Sequence, residues 1–311
     1  MIKWVLIIAA ILIILAAVIT VVMYVKCFYS PLAEQGDPYK IPNNPQFAPY
    51  RQRIARMIFD FSRVEYEPVE TVSFDGLKLA GKFYRGRADM PVVIGFHGYR
   101  SMSLHDYCGE GMHMVEKGYN LILVDQRGCE KSEGHAITFG VNERFDCLRW
   151  IDFVRKHFGE DREIFLSGIS MGATTVLLAA GLDLPDNVKG IMADCGFTSG
   201  SEIIKKVAKD RRLAPWLFYP FARLGAKILG HFDLEACNAV DTVKKTKVPI
   251  LITHGDDDRF VPYEMGQRLY EANPEMIRFE TYTDAGHGIS FLIDEERYKK
   301  MTEEFMNKCR K

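Results

Sequence analysis

Residues 164–181, IFLSGISMGATTVLLAAG, constrain the chain more than any other stretch. A short apolar run suits a buried strand, and the small apolar run that follows suits a buried helix closed by Gly181. Gly168, Ser170 and Gly172 stand between them. A strand that turns straight into a helix strains the residue at its apex. The positions on either side must be nearly free of side chain for the two elements to approach. The serine hydroxyl is then lifted out of the turn, and the first amides of the helix point back at the same place. By composition alone, about one chain in ten of this length carries two glycines framing a serine in this way. The weight therefore rests on the strand before, the helix after and the partners found elsewhere.

Those partners belong to an alternating chain. Residues 69–74 and 78–84 flank Asp75-Gly76, a hairpin signal. Residues 91–96, 121–124, 189–193, 248–253 and 277–282 read as further strands, and residues 145–158, 263–272 and 289 onward as helices. Strands alternating with helices predict a mostly parallel sheet with helices on both faces. The stretch 196–247 has no strand signal and is dense in aromatics around Trp216, Phe218, Tyr219 and Phe221. It is expected to be a helical lid over the catalytic edge of the sheet, with Trp216 and Phe218 binding substrate. The competing expectation is that its aromatics only pack the insertion onto the domain.

The N-terminal end is of another kind. Residues 4–25 are almost all Ile, Leu, Val and Ala, between Lys3 and Lys26, with Trp4 and Tyr24 near the ends. A run of about 20 apolar residues crosses a bilayer, and aromatics favour its interfaces. A cleaved signal peptide has a shorter apolar region and a small-residue cleavage site, which Tyr24-Val25-Lys26-Cys27 does not supply. Residues 1–26 are thus expected to be a single-pass anchor in the cell membrane. Lysines on both flanks leave its orientation undecided. Residues 27–64 are expected to be a linker, proline-rich to Pro49, then a helix carrying Ile54, Met57, Ile58 and Phe61. Its apolar face has two candidate partners, the membrane surface and the domain. Residues 65–311 form the globular domain.

Composition narrows the chemistry. The 311 residues carry a net charge of −1, so there is no basic excess for nucleic acid. Seven scattered cysteines, with no C-x-x-C, make neither a disulfide framework nor a zinc site. His105, Cys108 and His113 are near neighbours but read as a loop entering a helix. No metal or cofactor is expected, and the dinucleotide, P-loop and zinc-protease motifs are missing.

In an open α/β sheet the site forms at the carboxyl ends of the strands. Phe96-His97-Gly98-Tyr99 ends one strand, and its loop can aim an amide at a substrate oxygen. His97 itself reads as structural. His254-Gly255-Asp256-Asp257-Asp258 ends another, and Asp284-Ala285-Gly286-His287-Gly288 follows the last. A serine needs a base, and the base needs a carboxylate to hold its tautomer. Serine, aspartate, then histidine is one known chain order of such a triad.

With these motifs in order, the chain resembles the α/β-hydrolase superfamily, and within it the membrane-anchored bacterial and ABHD-type members with a serine aminopeptidase S33-like domain. The resemblance runs from about residue 67 to the C-terminus. It rests on Asp75-Gly76-Leu77-Lys78-Leu79, His97-Gly98, Asp125-Gln126-Arg127-Gly128, Gly168-Ile169-Ser170-Met171-Gly172, His254-Gly255 with Asp258 and Val261-Pro262, and Gly286-His287-Gly288. It implies an α/β-hydrolase fold, with Ser170 as nucleophile, His287 as base and Asp258 as the orienting acid. Some members place the acid one strand earlier, here at Asp194. The amides of Tyr99 and Met171 would form the oxyanion hole, and Asp125 and Arg127 a structural turn. The expected activity is hydrolysis of a carboxylic ester, with an acyl or lipid ester as a candidate. Peptides, amides and thioesters suit the same triad, and a catalytically inactive membrane-tethered binding protein is the alternative from another class.

Overall fold

The computed structural model describes residues 1–31, 37, 39–41 and 43–310. The proline-rich spacer falls partly outside these, at Pro38 and Pro42.

Among the described residues an eight-stranded sheet is ordered β1-β2-β4-β3-β5-β6-β7-β8. The strands are β1 Glu67–Val72, β2 Lys78–Tyr84, β3 Val92–Phe96, β4 Asn120–Val124, β5 Ile164–Ile169, β6 Val188–Asp194, β7 Ile250–Gly255 and β8 Ile277–Tyr282. β1 and β2 form the antiparallel hairpin announced by Asp75-Gly76, where Gly76 takes φ +92°. β2 also pairs antiparallel with β4, and every later pairing is parallel. β3, β4 and β7 are buried along their whole length, as a parallel sheet covered on both faces requires.

The helices are α1 Ile2–Cys27, α2 Arg51–Ser62, α3 Ser103–Asp106, α4 Glu110–Glu116, α5 Glu143–Phe158, α6 Met171–Ala179, α7 Gly200–Asp210, α8 Pro215–Ile228, α9 Ala239–Val243, α10 Tyr263–Ala272, α11 Ser290–Ile293 and α12 Glu295–Cys309. Apolar residues of α5, α6, α9 and α10 share one core with the sheet. Those of α2, α4 and α12 share the other. α2 buries Ile54, Ile58 and Phe61, so its apolar face belongs to the domain and not to a membrane surface.

The order reverses at β3, which pairs with β4 on one side and β5 on the other. The chain therefore leaves β3 and β5 as adjacent strand ends at the switch point, where a crevice opens. Residues 196–247 carry α7, α8 and α9 and no strand, as their sequence suggests.

α1 is apolar throughout, with a mean hydropathy of 3.4 over its best window. Most of it is exposed, but its last turns lie against α8, and Thr20 is buried there. The chain then continues straight into the domain. Phe28 is fully buried between Phe139 and Phe232, edge-on to both rings, and Ile137 donates its N–H to the Phe28 carbonyl.

Candidate active site

Ser170 sits at the turn from β5 to α6 with φ +56° and ψ −114°, a backbone region that a side chain makes costly. The two flanking glycines make that turn possible. A Cβ on Gly168 would strike the backbone of Gly172, and one on Gly172 would strike the carbonyl of Phe96. The Ser170 N–H is held by the Asp194 carbonyl at 2.8 Å, which fixes the turn against β6.

His287 follows β8 in a loop that reverses at Asp284 (φ +59°) and Gly288 (φ +66°). Its Nε2 lies 2.9 Å from Ser170 Oγ, and its Nδ1 lies 2.7 Å from Asp258 Oδ2. Asp258 follows β7 and is buried. Its other oxygen accepts the N–H groups of Phe260 and Val261 at 2.9 and 2.8 Å. His254 Nε2 lies 3.4 Å from the same oxygen that meets His287. Burial works against charge on Asp258, but hydrogen bonds from His254 and His287 outweigh it and hold the carboxyl well below the usual range. The serine, the imidazole and one carboxylate thus form a single hydrogen-bonded chain.

Asp194 is not part of that chain. Its carboxyl accepts from Ser290 Oγ at 3.3 Å, and burial pushes it up to about 6. Asp257 pairs with Arg259, and Asp256 caps the Asp284 amide at 2.7 Å. Cys195 Sγ lies near Asp258 and His287, but burial raises its thiol pKa far up, and the two neighbours are already bonded to each other and to Ser170. His97 spends both ring nitrogens on backbone, at Gly98 O and Gln126 N. Asp125 pairs with Lys82, and Arg127 with Asp75 and Asp146, so both hold turns together. His105 and His113 part company, one at 3.3 Å from Asp106 and the other at 3.0 Å from Glu303.

A cavity of about 340 Å³ opens beside Ser170 and His287. Tyr99 lines it, its ring stacked on Phe139 and its hydroxyl donating to the Cys27 carbonyl at 2.9 Å. Gly98 gives its own N–H to Asp106 Oδ2 at 2.7 Å, which shapes the loop that presents residue 99. Met171 is the first residue of α6, where amides have no partner within the helix.

The apolar wall comes from outside the lid. Phe47, Ile54 and Met57 from the linker and α2 face the cavity, with Phe291 and Leu292 from α11. Trp216 and Phe218 do not line it: Trp216 is 79% exposed and the helix that carries both packs on α1. α8 meets α1 through Gly225, which stands against Tyr24 and Thr20, and Trp216 is left on the surface. Sequence reasoning missed the linker residues because a proline-rich stretch gives no pattern that points to a site. The helical spacing of Ile54, Met57, Ile58 and Phe61 was the available signal.

Among the residues that line the cavity Glu110 is buried, accepting from Ser167 Oγ at 3.2 Å and Tyr298 OH at 3.3 Å. Burial, reinforced by Asp194, pushes its carboxyl up to about 7.

A sheet of this order, with serine after β5, aspartate after β7 and histidine after β8, defines the architecture of an α/β serine hydrolase. A family model described as alpha/beta hydrolase fold matches residues 91–230. The chain is 26% identical to protein YqkD of Bacillus subtilis, over 63% of this chain and 65% of YqkD. It is 24% identical to the lysophosphatidylserine lipase ABHD12 of Danio rerio, over 65% of this chain and 51% of that protein. These matches span between half and two thirds of the relatives' own length. Among solved structures, the Pyrococcus furiosus esterase Pf2001 superposes with a TM-score of 0.65 at 24% identity, covering 80% of this chain and 93% of that one. The chain has the α/β-hydrolase fold.

Proposed function

We propose that the protein is a membrane-anchored serine hydrolase that cleaves a carboxylic ester through an acyl-enzyme. The observation that carries this reading is the pair of contacts at His287, 2.9 Å to Ser170 Oγ and 2.7 Å to Asp258 Oδ2. Ser170 Oγ attacks the ester carbonyl carbon as His287 Nε2 takes its proton. Asp258 keeps the Nδ1 proton facing inward and stabilises the imidazolium. The amides of Tyr99 and Met171 hold the oxyanion, a contribution of about 3 kcal/mol for each such donor. His287 returns the proton to the leaving alkoxide, and the bond to it breaks. A water, deprotonated by the same imidazole, then releases the acid and restores Ser170.

The cavity supports an acyl substrate. Its wall of Phe47, Ile54, Met57, Phe291 and Leu292 is apolar. The relatives are in keeping with an ester, one named as a lysophosphatidylserine lipase and one solved as an esterase. α1 supports the membrane reading by length and composition, since 26 residues of helix are long enough to span hydrocarbon with some tilt. The purified full chain is to be assayed on p-nitrophenyl esters and on aminoacyl p-nitroanilides, with Ser170→Ala as control. Ester turnover that disappears in the variant supports the reading. Anilide turnover without ester turnover replaces it with a peptidase, and activity that survives Ser170→Ala removes it.

A further inference from the structure

From the placement of α8 we propose that the lid helix is a second membrane-contacting element, lying in the headgroup and acyl boundary of the leaflet where α1 ends. The inference rests on α1 being a membrane span. Its occupant is the lipid surface itself.

α8 has three faces. Tyr219, Ala222 and Ala226 recur at helical spacing and are buried in the domain, in the same cluster as Phe28, Phe139 and Phe232. Gly225 meets α1: a Cβ there would stand 2.9 Å from Tyr24 Cβ and 3.0 Å from the Thr20 carbonyl, so the two helices touch backbone to backbone. The third face is formed by Leu217, Leu224 and Ile228, seven and then four residues apart, and all three are exposed. On a helix that stripe adjoins the Gly225 face. It is therefore continuous with the exposed apolar flank of α1, which is the surface that enters the bilayer if α1 spans it. Leu213 just before α8 and Leu229 just after it extend the exposed apolar surface, and Trp216, about 100° round the helix from the stripe, is exposed in line with Arg223 and Lys227. A soluble domain leaves such a contiguous patch bare at a cost, and a continuous one is the mark of a membrane contact.

The polar residues agree with this level. Lys26 at the end of α1 is exposed, as are Lys209 in the last turn of α7 and Arg211 and Arg212 between α7 and α8. Cations at the boundary attract anionic headgroups. The end of α1 is also fixed to the domain and not tethered loosely. Arg100 donates to the Tyr29 carbonyl at 2.7 Å, Ser30 N donates to the His135 carbonyl at 3.0 Å, and Phe28 is fully buried. Since the Tyr99 hydroxyl that reaches the Cys27 carbonyl belongs to a cavity residue, the cavity lies one side chain from the end of α1. α1 and α8 together would hold that cavity at headgroup height.

Two tryptophans make the test. Trp4 lies near the far end of α1, about 30 Å from Val25 along the helix. Trp216 lies on α8, and the third, Trp150, is buried in the domain. The full chain is reconstituted in phosphatidylcholine–phosphatidylglycerol vesicles whose acyl chains are brominated near the headgroup. Trp4→Phe reports Trp216, and Trp216→Phe reports Trp4. The expected result is loss of both signals on bromination. Iodide in the buffer should then leave Trp216 largely unquenched. If Trp4 is quenched by the lipid while Trp216 answers only to iodide, α8 is in water and the proposal is overturned with the anchor intact. If neither is quenched and the protein is extracted by alkaline carbonate, both the anchor reading and the proposal fall. A second variant guards against misfolding: Leu224→Glu with Ile228→Glu should keep turnover of a soluble short ester and lose turnover of an ester presented in the vesicle. Equal rates on the vesicle ester would also overturn the proposal.

Discussion

Gln46 brackets His287 from the linker side. Its Nε2 donates to the His287 carbonyl at 3.0 Å, and its Oε1 accepts the His287 N–H at 3.2 Å. The side-chain amide thus mimics a strand neighbour and holds the backbone that carries the imidazole. It comes from a short 3-10 helix, Pro45–Tyr50, capped by the Asn44 side chain. Replacing Gln46 by Ala should lower kcat by roughly tenfold to a hundredfold, the scale of a small misplacement of a catalytic group, with KM little changed. Gln46→Glu keeps the acceptor and loses the donor, so it should fall between. An unchanged kcat with a lowered Tm would make Gln46 merely structural.

Gly286 is the companion to that bracket. A Cβ at this position would collide with Gln46 Oε1, so Gly286→Ala must push the amide away. Its kcat loss should match that of Gln46→Ala, and the double variant should cost no more than either single one. Additive losses, measured as a double-mutant cycle, would show that the two act separately.

The proposed acid is Asp258, which lies 2.7 Å from His287 Nδ1. Asp258→Asn should lower kcat by roughly 10⁴-fold, as removal of a triad acid does. Asp194→Asn should cost far less, because Asp194 bonds to Ser290 and not to His287. The reverse pattern in steady-state kinetics would transfer the role to Asp194.

Much of this was legible before any coordinates. The strands around Ser170, Asp258 and His287 lie where alternation and turn residues place them, because buried parallel strands are short, apolar and bounded by glycine. The Ser170 turn was legible for a steric reason, since only glycine fits at 168 and 172. The cavity wall was not. Gln46, Phe47 and Met57 come to the site from more than 100 residues before Ser170, and nothing local in a proline-rich linker announces a contact that distant. The lid misled for the opposite reason. Trp216 and Phe218 have the composition of a substrate wall, but apolar composition does not say whether a side chain faces a cavity or the surface, and neither residue lines the cavity.

Chain length separates the two walls. A buried methylene is worth up to about 0.8 kcal/mol, or roughly fourfold in kcat/KM per carbon. Rates on p-nitrophenyl esters should climb from acetate to hexanoate, and Met57→Trp should flatten the climb by filling the cavity. Trp216→Ala with Phe218→Ala should leave the climb on soluble esters intact. A climb flattened by the lid pair and untouched by Met57→Trp would restore the lid as the acyl wall.

Glu110 should leave a mark on stability. Burial first, and Asp194 second, raise its carboxyl from 4.5 to about 7. The unfolded chain then releases this proton at lower pH than the folded one. Its contribution is full below about 4.5 and is lost as pH rises to about 7. Glu110→Gln has no proton to release, and its Oε1 can accept from one of Ser167 and Tyr298 while its NH2 donates to the other hydroxyl. Its Tm should fall less than that of the parent across this window. Parallel Tm curves would contradict the raised pKa of Glu110.

Covalent labelling of Ser170 tests the account most directly. The full chain in detergent is treated with a fluorophosphonate probe, beside Ser170→Ala, and the adduct is located by mass spectrometry of the peptides. The account predicts one adduct, on Ser170, and no labelling of the variant. Equal labelling of both proteins, or an adduct on any other residue, would contradict it.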